Sequence, residues 1–177
     1  QKMRTNQTSQ ALVSPVSSQS LADFMGDLDY DASMDAELQS YIIAACEKII
    51  SITNHELLTR SFEFETDDFY SFDYIRLPSY PATAVTEFLA NGEAVEFVAK
   101  LKARPAVVKP MASSNDYKIT YSAGYANIES IPAIYIQTIN MLACYVYDNR
   151  GCDMKEAIDQ SGARMGIDVL KVRYSAI

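Results

Sequence analysis

The sequence predicts an α+β fold that is mainly α: a helix bundle with a small antiparallel β-subdomain and extended terminal segments. Three observations predict it. Apolar residues recur at helical spacing through Leu38, Tyr41, Ile42, Ala45, Ile49 and Ile52. Apolar and acidic residues then alternate in Ser61-Phe-Glu-Phe-Glu-Thr66, the two-residue period of a half-buried strand. Later, Tyr121-Ser-Ala-Gly-Tyr125 and Ile131-Pro-Ala133 mark a strand, a glycine turn and a helix opened by proline, whose missing N–H costs nothing in the first turn.

Taken in order, residues 1–20 are rich in Ser, Gln and Thr and read as a mobile N-terminal arm. Ser20 caps a short helix, 21–28. Asp31 or Ser33 caps a longer one, 34–53, with Asp35 and Glu37 in its first turn, where the helix dipole favours acids. Ile43, Cys46 and Ile50 add a second apolar flank, so this helix packs on more than one side. Asn54 ends it, because Asn tolerates the left-handed conformation. The β-subdomain, 61–121, contains six short strands: 61–66, 74–77, 84–90, 93–98, 107–108 and 117–121. Pro78 stops the second, and Asn91-Gly92 is a hairpin turn. A third helix, 132–149, buries Ile131, Ile134, Tyr135, Thr138, Ile139, Leu142, Tyr145 and Val146 and is ended by Gly151. Residues 152–164 read as polar and mobile, and Met165 to Tyr174 as a short amphipathic tail.

A length of 177 residues with 49% hydrophobic content suits one domain with tails and a real core. The formal charge of -8 argues against tight nucleic-acid binding, since few cations are present to neutralise phosphates. The charge is uneven. Residues 21–70 hold twelve acids against Lys48 and Arg60, whereas 100–118 hold Lys100, Lys102, Arg104, Lys109 and Lys118 against Asp116. Such opposite-sign faces suit contacts between copies, and they equally suit ordinary solvated surface. Three cysteines (Cys46, Cys144, Cys152) without CxxC spacing argue against a disulfide framework or zinc site and fit a reducing compartment. The longest apolar run, Ile131 to Tyr147, is interrupted by Gln137 and Asn140 and is too short to span a membrane; the N-terminus lacks signal-peptide order.

Catalytic chemistry finds little support. A Ser-His-Asp or Cys-His arrangement would run through His55, the single histidine, which reads better as a cationic cap or surface residue past a helix end. Asp27-Leu-Asp-Tyr-Asp31 opens like a calcium loop, but Ala32 stands where glycine is needed and Leu38 where a bidentate glutamate is needed. Glu63 and Glu65 share a strand face without a partner acid that would make a glycosidase pair. No phosphate loop, dinucleotide fingerprint or HExxH occurs, so no cofactor and no metal are expected. The clustered tyrosines (Tyr70, Tyr74, Tyr80, Tyr117, Tyr121 and Tyr125) suit interfaces, base stacking or plain sheet packing.

The order of these features resembles the head–tail connector (adaptor) proteins of tailed double-stranded DNA phages. Three regions carry the likeness: Ser14-Pro-Val-Ser17 through Met34 to Arg60; Ile75-Arg-Leu-Pro78 with Pro81 and Ala84-Val-Thr86; and Ile119 to Tyr125 with Ile131-Pro-Ala133 and Tyr147-Asp-Asn-Arg150. The resemblance implies a connector domain over 21–150 and a C-terminal portal-docking tail over 151–177. It implies a non-enzymatic subunit of a dodecameric ring beneath the portal protein. That ring sits in the virion neck, after assembly in the host cytoplasm, and offers a platform to a neck or tail completion protein. It implies portal contacts by Ile167, Leu170, Val172 and Tyr174. Genomic DNA would pass through the lumen without specific binding and no membrane is involved. An acidic lumen repels phosphates, so Asp27, Asp29, Asp31, Glu63, Glu65, Asp67 and Asp68 are the candidate channel-lining residues. A ring also needs one face to meet a different face of the next copy, and Lys100, Lys102 and Arg104 are the inter-subunit candidates. The alternative from another class is an acidic monomeric adaptor or DNA-mimicking inhibitor.

Overall fold

Where helical spacing gives way to alternation, the chain passes from one compact unit to another. The computed structural model describes residues 3–7, 12–26, 29–67 and 74–171. A helical unit takes 12–53 and 127–171, and a sheet unit takes 1–11, 54–126 and 172–177. The fold is α+β, and in place of the single block predicted for 21–150 the helical unit is built from two segments and the sheet unit from three.

In the helical unit, α1 (Ser18–Met25) begins three residues earlier than predicted. Its cap is Ser17, which accepts a hydrogen bond from the Ser20 N–H, and it stops at Gly26. Asp31 caps a 3-10 turn, Ala32–Met34, that runs into α2 (Asp35–Thr53). Asn54 follows with φ 56°, the left-handed stop read from the sequence. After a capping box at Asn127 and Ser130 come α3 (Ala133–Asp148), α4 (Met154–Gln160) and α5 (Ala163–Leu170). Helix α3 is central: it packs against α1, α2, α4 and α5. Leu38, Ile42, Ala45, Cys46 and Ile49 of α2 are buried, as are Tyr135, Ile139, Leu142 and Ala143 of α3. The segment predicted to be polar and mobile, 152–164, is instead mostly helix. Ala157 and Ile158 give α4 a small apolar flank that burial stabilises.

In the sheet unit, every strand pair is antiparallel. β1 (Met3–Gln7), β2 (Arg60–Asp67), β8 (Asp116–Ala123), β4 (Ala82–Ala90) and β5 (Glu93–Ala94) form a sheet in that order. β3 (Ile75–Arg76), β7 (Val107–Pro110) and β6 (Phe97–Lys100) form a second. Residues 3–7 are therefore an edge strand paired with β2, not part of a mobile arm. The predicted strand 93–98 is two strands: the hairpin at Asn91-Gly92 returns β5 to β4, and the chain then changes sheet. Two register shifts in β4 free Thr83 and Thr86, whose hydroxyls donate to the β8 carbonyls of Ser122 and Thr120.

Both sheets turn their inner faces into one core. Phe62, Phe64, Phe88, Tyr117, Ile119 and Tyr121 come from the larger sheet, and Ile75 and Val108 from the smaller. Phe88 and Phe97 join the two edge to face, with ring centroids 5.4 Å apart. Tyr117 and Tyr121 are fully buried with satisfied phenols. The Tyr117 hydroxyl donates to the Ala112 carbonyl at 2.8 Å, and the Ser79 N–H donates to the Tyr121 hydroxyl at 3.2 Å. Plain sheet packing, rather than base stacking, is the role of these two. Gly124 ends β8 at φ 120°, and a Cβ there would lie 2.3 Å from the Leu58 carbonyl oxygen, so the turn has room only for glycine.

Candidate assembly surfaces

The pleat decides which side chains each sheet shows to solvent. On the larger sheet, burial of Phe62, Phe64 and Thr66 leaves Glu63 and Glu65 on the opposite face of β2. Their β8 neighbours there are Thr120 and Lys118. The Lys118 ammonium lies 2.8 Å from Glu63 and 3.9 Å from Glu65. Its pKa is raised, first by the Glu63 hydrogen bond and then by the charges of Glu63, Glu65 and Glu87. Glu87 accepts from the Thr120 hydroxyl at 3.3 Å. Two carboxylates thus hold one ammonium, and Glu87 adds its charge.

The smaller sheet shows the opposite sign. Ile75, Val108 and Pro110 are buried, so Tyr74, Arg76, Val98, Lys100, Val107 and Lys109 share the outer face. The register confirms it: Val98 sits opposite Lys109, and Lys100 and Arg76 each sit opposite Val107. Among the described side chains of these strands, three cations and no acid occupy this face, and the exposed Glu96 directly precedes β6. The ammonium groups of Lys100 and Lys109 lie 4.6 and 5.8 Å from the Tyr74 ring centroid. The Tyr74 hydroxyl is shifted down by its hydrogen bond to Lys100, then by the charges of Lys100 and Lys109. Tyr74 is 39% exposed and Val98 49%.

Beside this face, Arg104 lies over the Tyr80 ring at 5.6 Å, and Tyr80 in turn faces the His55 ring at 4.7 Å. His55 is 3% exposed, and burial, aided by the Arg104 charge, pushes its pKa down to about 4. The cationic cap expected from the sequence is therefore wrong: His55 is a neutral, buried ring at neutral pH. Glu56 next to it is buried against Arg60 at 3.6 Å. Desolvation raises its pKa, and Arg60 opposes that rise. Cys46 is buried, and desolvation pushes its thiol up to about 12, far from an activated nucleophile.

In the helical unit, α5 buries Ile167 and Leu170 with Ala163 and Gly166. These two portal candidates are spent on the unit's own core, because α5 must cover α3. The opposite flank shows Met165 (75% exposed) and Val169 (57%). Val172 and Tyr174 lie outside the described residues. Of the channel candidates, Asp29 and Asp31 are exposed in the helical unit, and Asp31 accepts from the Ser33 N–H. Glu63 and Glu65 belong to the sheet unit and are partly neutralised by Lys118. Asp27 and Asp68 fall outside the described residues, as does the side chain of Asp67. Lys100 and Arg104 are on the basic side of the sheet unit with Lys102 exposed in the following turn. Sequence reasoning missed Arg76, and it named Tyr74 among the clustered tyrosines and Lys109 in the basic stretch without joining them. Their two-residue spacing was readable, but only the β3–β7–β6 pairing brings them together.

Among the described residues, no group of three His, Cys, Asp or Glu could hold a metal ion, and no helix is long and apolar enough to cross a membrane. No protein-family model matches the sequence, and no curated protein matches it. Solved structures do. A chain from the neck of an empty gene transfer agent particle, computed with C6 symmetry, matches with TM-score 0.77 and 18% identity over 98% of this chain and 97% of that one. A chain from the neck of the native particle, computed with C12 symmetry, matches with TM-score 0.70 and 19% identity over 98% and 97%. A chain of the native gene transfer agent virion matches with TM-score 0.76 and 20% identity over 97% of each. At these identities the likeness establishes a shared fold along the whole chain.

Proposed function

We propose that this chain is a structural connector subunit in the neck of a phage-like particle. It forms a ring beneath the portal, extends the DNA channel and presents a platform for neck or tail attachment. The observation that carries the reading is the end-to-end match, with both units included, to chains from particle necks. Computation of those necks with C6 and C12 symmetry supports a ring for this chain, and a dodecamer fits both. A non-enzymatic role is supported by the chemistry on hand: the one histidine is buried and neutral, and Cys46 is held protonated. The channel reading keeps Asp29 and Asp31, exposed on the acidic unit, as its best-supported residues, while Lys118 weakens the case for Glu63 and Glu65.

The portal contact moves to the exposed flank of α5, Met165 and Val169, together with the following residues 172–177. Deleting 165–177 would not test this contact, because it would also remove the buried Ile167 and Leu170. The test is co-expression with the portal protein of the same genome and electron microscopy of the purified complex. The expected result is a second ring stacked under the portal, lost when Met165 and Val169 are both changed to Glu in a chain that still folds. A full chain that stays monomeric and leaves the portal bare refutes the connector reading. It would favour a DNA-mimicking inhibitor, which the helical unit's thirteen acids against five bases would suit.

A further inference from the structure

The sheet unit has ten acids and ten bases, so its net charge is zero, yet its two outer faces differ in sign. Because both sheets bury their inner faces in one core, those outer faces look in opposite directions. Among the described side chains, one displays Arg76, Lys100 and Lys109 around Tyr74 and the two valines; the other displays Glu63, Glu65 and Glu87 around Lys118, with Arg4 of β1 opposite Glu65 in register.

We propose that the basic face of the three-stranded sheet docks on the acidic face of the five-stranded sheet in a second copy of this chain. The contact joins two different faces, so each copy leaves one of each sign open and the next copy adds in the same sense, as closure of a ring requires. This rests on the ring reading above and names the surfaces that build it. Val98 and Tyr74, exposed among the cations, favour a protein partner over a phosphate backbone. A phosphate backbone gives a valine nothing to bury, whereas interfaces combine apolar contact with charged surroundings. The aromatic ring beneath two ammonium groups also keeps both cations on the face that the partner's carboxylates meet. The inter-subunit set thereby shifts from Lys100, Lys102 and Arg104 to Arg76, Lys100 and Lys109.

The experiment compares full-length chains by mass photometry and electron microscopy, alone and on the portal ring. Lys100→Glu with Lys109→Glu puts acid against acid and should raise the concentration needed for assembly about tenfold or more, the effect of opposing several charged contacts. Adding Glu65→Lys and Glu87→Lys to that chain exchanges the signs of the two faces and should restore assembly. Glu63 is left unchanged so that Lys118 keeps its closest partner. Circular dichroism melts establish that each variant folds. Wild-type rings that persist in the Lys100→Glu/Lys109→Glu chain overturn the proposal while leaving the ring reading intact. So does a four-site variant that folds but fails to reassemble. Intact rings that lose only retention of a short DNA duplex overturn it in favour of phosphate. If the wild-type chain forms no ring under either condition, the ring reading and this proposal fall together.

Discussion

From the sequence, His55 reads as a cation past a helix end; in the fold it is a buried neutral ring against Tyr80. A depressed histidine pKa means that the unfolded chain binds the extra proton first. His55 therefore contributes stability that is fully present above its ordinary pKa of 6.5 and is lost as pH falls toward about 4. Glu56, whose pKa is raised, acts in the opposite sense, since the folded state is the one that takes up its proton first. The expected effect of His55 is a loss of stability as pH falls across that window, partly offset by Glu56. His55→Phe, which keeps a ring against Tyr80, should flatten the fall in melting temperature between pH 7 and pH 5. An unchanged pH profile in that variant would assign the acid sensitivity to other groups. Tyr117 and Tyr121 make the same point about context: composition leaves core and interface both open, and two satisfied phenols decide for the core.

At the scale of elements, the helices and strands were mostly legible and their ends less so. Helical spacing identified α2 and α3, and Asn54 and Asn91-Gly92 mark real left-handed stops and turns. Helix α4 was not legible, because seven residues carry too short an apolar period and depend on α3 for burial. The packing of α5 on α3 rests on a close approach at Gly166, where a Cβ would lie 2.0 Å from the Thr138 hydroxyl oxygen. That oxygen is already fixed by donating to the Ile134 carbonyl at 2.6 Å. Gly166→Ala should thus cost about 1–3 kcal/mol by overpacking, read in urea denaturation. Thr138→Ala added to it should recover part of the loss; if the two effects simply add, the contact is not the cause.

At the scale of the whole molecule, the net charge of -8 belongs entirely to the helical unit, since the sheet unit is balanced. Like charges on one small unit repel, and salt screens them over a distance that shrinks from about 30 Å at 0.01 M to about 10 Å at 0.1 M. Raising salt across that range should therefore raise the melting temperature of the unassembled chain by about 2–4 °C. The same change should weaken association through the charged sheet faces. A melting temperature that falls with salt would show that the acids are held by favourable pairs instead, of which the exposed Arg150–Glu37 contact at 2.9 Å is one.

By itself the sequence determined the α+β class, the long helices, most strands, the acidic balance and the order of features that resembles phage connectors. These are local or additive properties: apolar period, turn chemistry and charge count do not depend on what lies across the fold. Only the tertiary structure decided that residues 3–7 complete a sheet, that Ile167 and Leu170 face inward, and that His55 is dry. It also decided which charges share a face. Arg76, Lys100 and Lys109 are far apart in the chain and become neighbours only through strand pairing, whose register the side-chain period alone leaves open.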